Sequence, residues 1–186
     1  MIGIARYAAY VPRWRVERRL IGAAWGTRQA RGQIAVANYD EDSLTMAVEA
    51  AMGCLKEGAP PVGCVYFAST SSPYWEKQVA SLLATACDLP REVETADFAG
   101  SARAGLGAVL AAIRAVQAGA VHDGLVAAAD VRVVEPESEL EGSIGDGAAA
   151  VVHVGVWRVP TLPWPQDGGH RAGVLLCPRH AVAQRC

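Results

Sequence analysis

Polar and apolar residues along this chain fall into blocks whose period switches between helical and strand-like. The clearest helical block follows Gly100-Ser101. There Leu106, Val109, Leu110, Ile113 and Val116 recur at helical spacing and predict one buried stripe. Ser101 is placed to cap this helix and Gly119 to stop it. A second block, Leu44, Ala47, Val48, Ala51, Met52 and Leu55, predicts another amphipathic helix. Asp42 or Ser43 stands at its cap position, and capping accounts for the acidic cluster Asp40-Glu41-Asp42. A third helix is expected over 76–87, with Val79, Leu82, Leu83 and Ala86 inward and Asp88-Leu89-Pro90 ending it.

Strand-like runs separate these blocks. Ile2 to Tyr10 is mostly apolar and ends before Pro12. Val62 to Ser69 is continuously apolar, as expected of a strand covered on both faces. Shorter runs at 93–96 and 124–134, and a last strand entered through 142–152, complete the set. Such alternation predicts an α/β layer, and no internal repeat interrupts it. Residues 13–22 are expected to form a short helix with an arginine-rich face, and 26–37 a loop. Beyond Val156 the prolines at 160, 163, 165 and 178 break any element. The chain therefore divides into a domain over 1–155 and an irregular tail over 156–186.

Composition narrows the function classes. A chain of 186 residues that is 52% hydrophobic can bury a real core and is not a disordered tract. Its net charge of -2 leaves no basic field for nucleic acid. No run approaches the ~20 apolar residues of a membrane helix, and the N-terminal charge order is unlike a secretory signal. Five scattered cysteines, none in a Cys-x-x-Cys pair, fit reduced thiols and a cytoplasmic location. In the tail, His170, Cys177, His180 and Cys186 are zinc-competent types at irregular spacing, and no metal or cofactor is expected of them.

Three stretches carry candidate chemistry. Residues 97–106 make a strand-to-helix turn, which exposes a side chain at the positive end of a helix. Ser101 is the hydroxyl there and needs a base to act as a nucleophile. Ala99 and Arg103 occupy the places of the glycines in a hydrolase elbow, and Gly100, Gly105 and Gly107 lack the spacing of a phosphate loop. His122 and His153 fall at or within strands and read as structural. Thr70 to Tyr74 follows a strand, where open α/β sheets place their ligand loops. Gly145-Asp146-Gly147 allows a tight turn or a close backbone approach, with Asp146 bracing it.

These stretches, together with Tyr39 to Ala50, resemble the hydroxymethylglutaryl-CoA synthases, members of the thiolase superfamily with the type III ketoacyl synthases. The quoted segments are Asp97-Phe98-Ala99-Gly100-Ser101-Ala102-Arg103-Ala104-Gly105-Leu106, Ser69-Thr70-Ser71-Ser72-Pro73-Tyr74 and Gly145-Asp146-Gly147-Ala148-Ala149-Ala150. The resemblance implies one thiolase-like half, a mixed five-stranded sheet with helices on both faces. It lays the family's catalytic cysteine on Ala102, beside Ser101, and the family's acid/base glutamate on Thr70. Tyr74, Gly145, Asp146 and Gly147 become candidate ligand contacts, and the arginines of 26–37 candidates for CoA phosphates. The implied substrate is an acyl-CoA or acyl-carrier thioester, with no cofactor. Implied partners are a second copy, paired through the strand before the elbow, a complementary half carrying the histidine, or the zinc-bearing OB-fold protein of cysteine-less aldolases. Three functions stay open at this point: thioester chemistry at a carbon–carbon bond, a catalytically incomplete half-domain, or an unrelated α/β enzyme that uses Ser101.

Overall fold

The computed structural model describes residues 2–27, 31–56 and 59–155. The expected tail over 156–186, with its zinc-competent residues and its domain boundary, lies outside them. The element order is β1 (Ile2–Tyr10), β2 (Trp14–Glu17), α1 (Arg18–Trp25), β3 (Gln33–Val36), α2 (Ser43–Cys54), β4 (Cys64–Ala68), α3 (Val79–Ala86), β5 (Glu94–Phe98), α4 (Ala104–Gln117), β6 (Asp123–Asp130) and β7 (Gly147–Gly155).

Five strands form one mixed sheet in the order β1-β7-β6-β4-β5. β4 lies parallel to both neighbours, while β7 runs antiparallel to β6 and β1. Helices α2 and α3 cover one face, where Met46, Phe67, Leu83, Leu125 and Val152 form the larger core. Helix α4 covers the other face over Tyr66, Val126 and Ala68. β4 is buried at every position, as its continuous apolar run predicts.

α2 starts where expected. The Asp42 carboxylate accepts from Thr45 N (2.7 Å), and Thr45 Oγ1 accepts from Asp42 N (2.8 Å), a reciprocal capping box. Capping does not account for Glu41. Glu41 instead accepts from the Tyr10 hydroxyl and from Asn38 N. The buried face is Ser43, Met46, Ala47, Ala50, Ala51 and Cys54, so Met52, expected inward, is exposed.

α4 departs further from its pattern. Its buried positions are Ala104, Ala108, Ala112 and Val116, while Leu106 and Leu110 are 52% and 41% exposed. The cause is a close approach to the sheet. Gly105 lies against Ala128, Gly107 against Phe98, and Ala112 lies over Gly124. Only small side chains fit at that spacing, so Leu106 and Leu110 face away, while Val109 and Ile113 are half-buried and Val116 is buried. Gly119, at φ +72°, ends the helix as expected, with Ala120 N bonded to Ala115 O and Gly119 N to Val116 O.

Residues 13–37 are also corrected. The expected helix begins only at Arg18, and β2 pairs antiparallel with β3 across the expected loop. Alternation over four residues is too short a signal against a segment rich in arginine and glycine. β6 ends at Asp130, four residues before the expected strand end.

His153 sits on β7 with Ile4 and Gly124 as register partners, and no hydrogen bond reaches its buried Nε2. Burial holds its pKa below the ordinary 6.5. The unfolded chain thus takes up this proton first. Stability is full above about pH 6.5 and declines as the pH falls below it toward the lowered folded value. Urea unfolding across pH 5 to 8 is expected to show that decline, and His153→Leu to flatten it. An identical slope in the variant contradicts the assignment.

Candidate active site

Parallel pairing sets the C-terminal ends of β4, β5 and β6 at one edge of the sheet. β7 begins at that edge with Gly147, and β1 ends there with Tyr10. The loop after β4, the turn after β5, Asp130 and the 145–147 turn therefore gather at one end of the layer, which is where open α/β sheets bind ligands.

The elbow is a sharp turn built on Gly100, whose φ of +76° favours glycine. Ser101 does not cap α4 as expected. The helix begins later, at Ala104, with Arg103 in the cap position. Ser101 closes the preceding turn, its Oγ accepting from Arg103 N (3.1 Å) and its carbonyl from Ala104 N (2.9 Å). Ser101 and Ala102 are both exposed. Neither described histidine serves Ser101: His122 is exposed just before β6, and His153 lies near the opposite edge of the sheet. Ala102 puts a methyl group where the resemblance lays a thiol.

Thr70 is committed elsewhere. Its Oγ1 donates to Asp130 Oδ1 (3.0 Å), as does its backbone N (2.6 Å). The same oxygen accepts from Ser69 Oγ (3.0 Å), Ser71 N (3.1 Å) and Ser71 Oγ (3.1 Å). Ser71 Oγ accepts in turn from Val131 N (2.8 Å), and Ser43 Oγ donates to Ser71 O (2.9 Å). One carboxylate at the end of β6 thus ties down the whole turn after β4.

An open cleft of about 380 Å³ lies between the ends of β4 and β5, floored by Phe67 and Phe98 and walled by Tyr74, Trp75 and Glu76. Lys77 Nζ stands 5.0 Å from the centre of the Tyr74 ring. Glu76 was expected to open α3. The helix starts instead at Val79, because Asp97 on β5 receives Val79 N (2.6 Å) and Ala80 N (2.7 Å) on its two carboxylate oxygens. Glu76 is left in the loop.

Gly145, Asp146 and Gly147 line a second open cleft, of about 440 Å³, with Tyr10 and Asp130. Asp146 is a brace here. Its carboxylate accepts from Ala37 N (2.8 Å) and Arg132 N (3.2 Å), and its own N donates to Ala35 O (3.0 Å). Gly145 is closely packed, since a Cβ there would stand 3.1 Å from the Ala35 backbone. The 145–147 turn thus anchors the β2–β3 pair at Ala35 and Ala37, the end where exposed Trp14 and Arg15 stand opposite Val36 and Ala35.

The described cysteines lie on other elements. Cys54 and Cys64 are buried and Cys87 is half-buried. Burial pushes the Cys64 and Cys87 thiols up to about 11, so both are protonated at neutral pH. Among the described residues no group of three or more His, Cys, Asp and Glu side chains is arranged to hold a metal. No described helix is long and apolar enough to cross a membrane.

The sequence missed Asp130 and Asp97 as organising groups. Each is one acid at a strand end, and its partners lie far off in sequence. No periodicity marks such a residue.

No protein-family model matches the chain. Curated relatives do. The hydroxymethylglutaryl-CoA synthase of Caldivirga maquilingensis is 35% identical over 81% of this chain and 46% of its own length. The hydroxymethylglutaryl-CoA synthase of Pyrobaculum calidifontis is 32% identical over 97% of this chain and 60% of its own length. Among solved structures, MvaS in complex with 3-hydroxy-3-methylglutaryl coenzyme A superposes with a TM-score of 0.76 at 24% identity, over 82% of this chain and 40% of that one. That likeness shows the fold. The chain spans about half the length of the curated relatives it matches.

Proposed function

Because this chain is a hydroxymethylglutaryl-CoA synthase-like member of the thiolase superfamily and corresponds to the N-terminal half of such a protein, we propose that it binds an acyl-CoA or acyl-carrier thioester at the end of the sheet where the elbow and the loop after β4 converge. The observation that carries this reading is the match of the curated relatives, at 32–35% identity, over 81–97% of this chain. One cleft reaches Ser69 and the other Asp130, and both offer aromatic and apolar surface for an acyl group. Arg31 is a candidate for the CoA phosphates, while Arg28 lies outside the described residues.

The chemistry proposed differs from acyl transfer through an enzyme thioester. That route needs a thiolate at the elbow. Ala102 offers none, and the Ser101 hydroxyl has no described base. Formation or cleavage of a carbon–carbon bond beside a bound thioester, without an acyl-enzyme, suits such an elbow. Acid/base groups then come from a partner, either a complementary half or an OB-fold protein.

A second reading, a catalytically incomplete half-domain, is favoured by one specific surface. Leu106 and Leu110 on α4 are exposed, as are Ile4 and Tyr7 on β1. Apolar side chains of this size on an outer helix and strand mark a face that another layer covers. The open edge of β5 is a further candidate contact, with a second copy of this chain. Calorimetric titration with a short-chain acyl-CoA tests the thioester reading. Saturable binding is expected, and the absence of any binding heat favours the half-domain.

A further inference from the structure

Three hydroxyls gather on one carboxylate oxygen at the ligand end of the sheet. Ser69 Oγ, Thr70 Oγ1 and Ser71 Oγ each donate to Asp130 Oδ1, at 3.0, 3.0 and 3.1 Å. A hydroxyl has one hydrogen to give and two lone pairs to receive with, whereas an ionised carboxylate only accepts. All three hydrogens are therefore committed, and all three oxygens are left as acceptors.

What each oxygen accepts differs. Ser69 Oγ receives Ser71 N (2.9 Å), and Ser71 Oγ receives Val131 N (2.8 Å). Ser69 is buried and Ser71 half-buried, so both serve the turn itself. Thr70 is exposed, and no donor among the described residues reaches its Oγ1. Ser72, two residues on, spends its hydrogen on a neutral carbonyl, Tyr74 O (3.2 Å). Thr70 alone in this turn joins an exposed oxygen to a hydrogen held by a charge. Its backbone N donates to the same Asp130 oxygen (2.6 Å), so main chain and side chain are fixed together. A hydroxyl that donates to a charged group is polarised, and its oxygen accepts more strongly. Thr70 follows Ser69, which lines one cleft, and is bonded to Asp130, which lines the other.

We infer that Thr70 is a specificity contact, held by Asp130 as an obligate hydrogen-bond acceptor, and that it selects a thioester whose acyl group carries a hydroxyl over one that carries none or a keto oxygen. The inference rests on the thioester reading of this site and names the acyl class that the reading leaves open. Reaction chemistry points the same way. Addition of a thioester enolate to a carbonyl, with no acyl-enzyme, leaves a hydroxyl on the carbon β to the thioester, and the reverse cleavage starts from that compound. One side of the proposed reaction thus carries the donor that Thr70 accepts. A keto oxygen would set lone pairs against lone pairs. Asp130 is the positioning residue, acting through the hydroxyl it holds.

Calorimetric titration of the full chain with 3-hydroxybutyryl-CoA, butyryl-CoA and acetoacetyl-CoA tests this. The hydroxyacyl thioester is expected to bind about ten-fold tighter than either of the others, the ratio that one hydrogen bond to a polarised acceptor supplies. Thr70→Val keeps the shape of the side chain and is expected to bring the ratio to about one. Thr70→Ser keeps the hydroxyl and is expected to restore most of it. Asp130→Asn leaves an acceptor without the charge and is expected to reduce the ratio to about three. The readout compares ligands on one protein, so a purely structural role for the turn does not move it. Thermal melting of Thr70→Val within a few degrees of the wild type shows that the fold is kept. Three similar affinities in the wild-type chain overturn the inference and leave the thioester reading standing. A ten-fold ratio that survives in Thr70→Val overturns the assignment to Thr70, and one that survives in Asp130→Asn overturns the positioning role of Asp130. Binding of none of the three removes the thioester reading and this inference with it.

Discussion

Asp130→Ala is expected to lower the folding free energy by about 2–3 kcal/mol and the melting temperature by about 5–10 °C. Asp130 Oδ1 gathers donors from three consecutive residues of the turn after β4. Hydrogen bonds to a charged group are each worth more than neutral ones, about 1.5–3 kcal/mol. Water replaces part of that network, because Thr70 is exposed, and this keeps the total well below the sum. Ser69 is buried at 3% exposure, and its hydroxyl loses that acceptor. Asp130→Asn keeps the shape and one acceptor oxygen without the charge, and a smaller loss of about 1 kcal/mol is expected. Denaturant unfolding of both variants checks the order. A wild-type midpoint for Asp130→Ala would mean that the carboxylate does not hold the turn.

The second large effect is a gain. Ala102→Cys is expected to create a thiol that reacts with iodoacetamide on the order of a hundred-fold faster than Cys54, Cys64 or Cys87 at neutral pH. Ala102 is exposed and lies two residues before the first turn of α4, where unpaired N–H groups and the helix dipole stabilise a thiolate. The three described cysteines are all shifted the other way by burial. Peptide mapping of the label assigns the rate to each site. Slow labelling of the new cysteine, comparable with Cys64, would show that the elbow lacks the electrostatics of a nucleophile position.

The fold class was legible because its signals are local. The continuous apolar run before Ser69, the helical blocks after Asp42 and Gly100, and the glycine at 119 each report on neighbours in sequence. The facing of α4 was not. Its leucines form a regular stripe, yet the alanine row is the one that lies on the sheet, because Gly105, Gly107 and Gly124 allow an approach too close for leucine. Periodicity finds a stripe and is silent on which neighbour meets it. Small residues opposite small residues are visible only once β6 and α4 are superposed.

The site was legible in part. The elbow, the turn after β4 and the 145–147 turn were singled out from sequence, and strand order brings them to one end of the sheet. Their roles were less visible. The Thr70 hydroxyl is drawn to Asp130, which stands sixty residues later, and Asp146 braces Ala37, which stands over a hundred residues earlier. Such partners are chosen by strand order, which residue types at a given spacing do not encode. Asp97 shows the same effect on secondary structure, since its carboxylate sets the first residue of α3 from a different strand.

A thioester site at the elbow that forms no acyl-enzyme can be tested on a single sample. The purified chain is titrated with a short-chain acyl-CoA in a calorimeter, and its intact mass is then measured. Saturable binding with the mass unchanged is the predicted result. A gain of the acyl mass at Ser101 would contradict the account by showing that the elbow holds a working nucleophile, and the absence of binding would contradict it by removing the thioester.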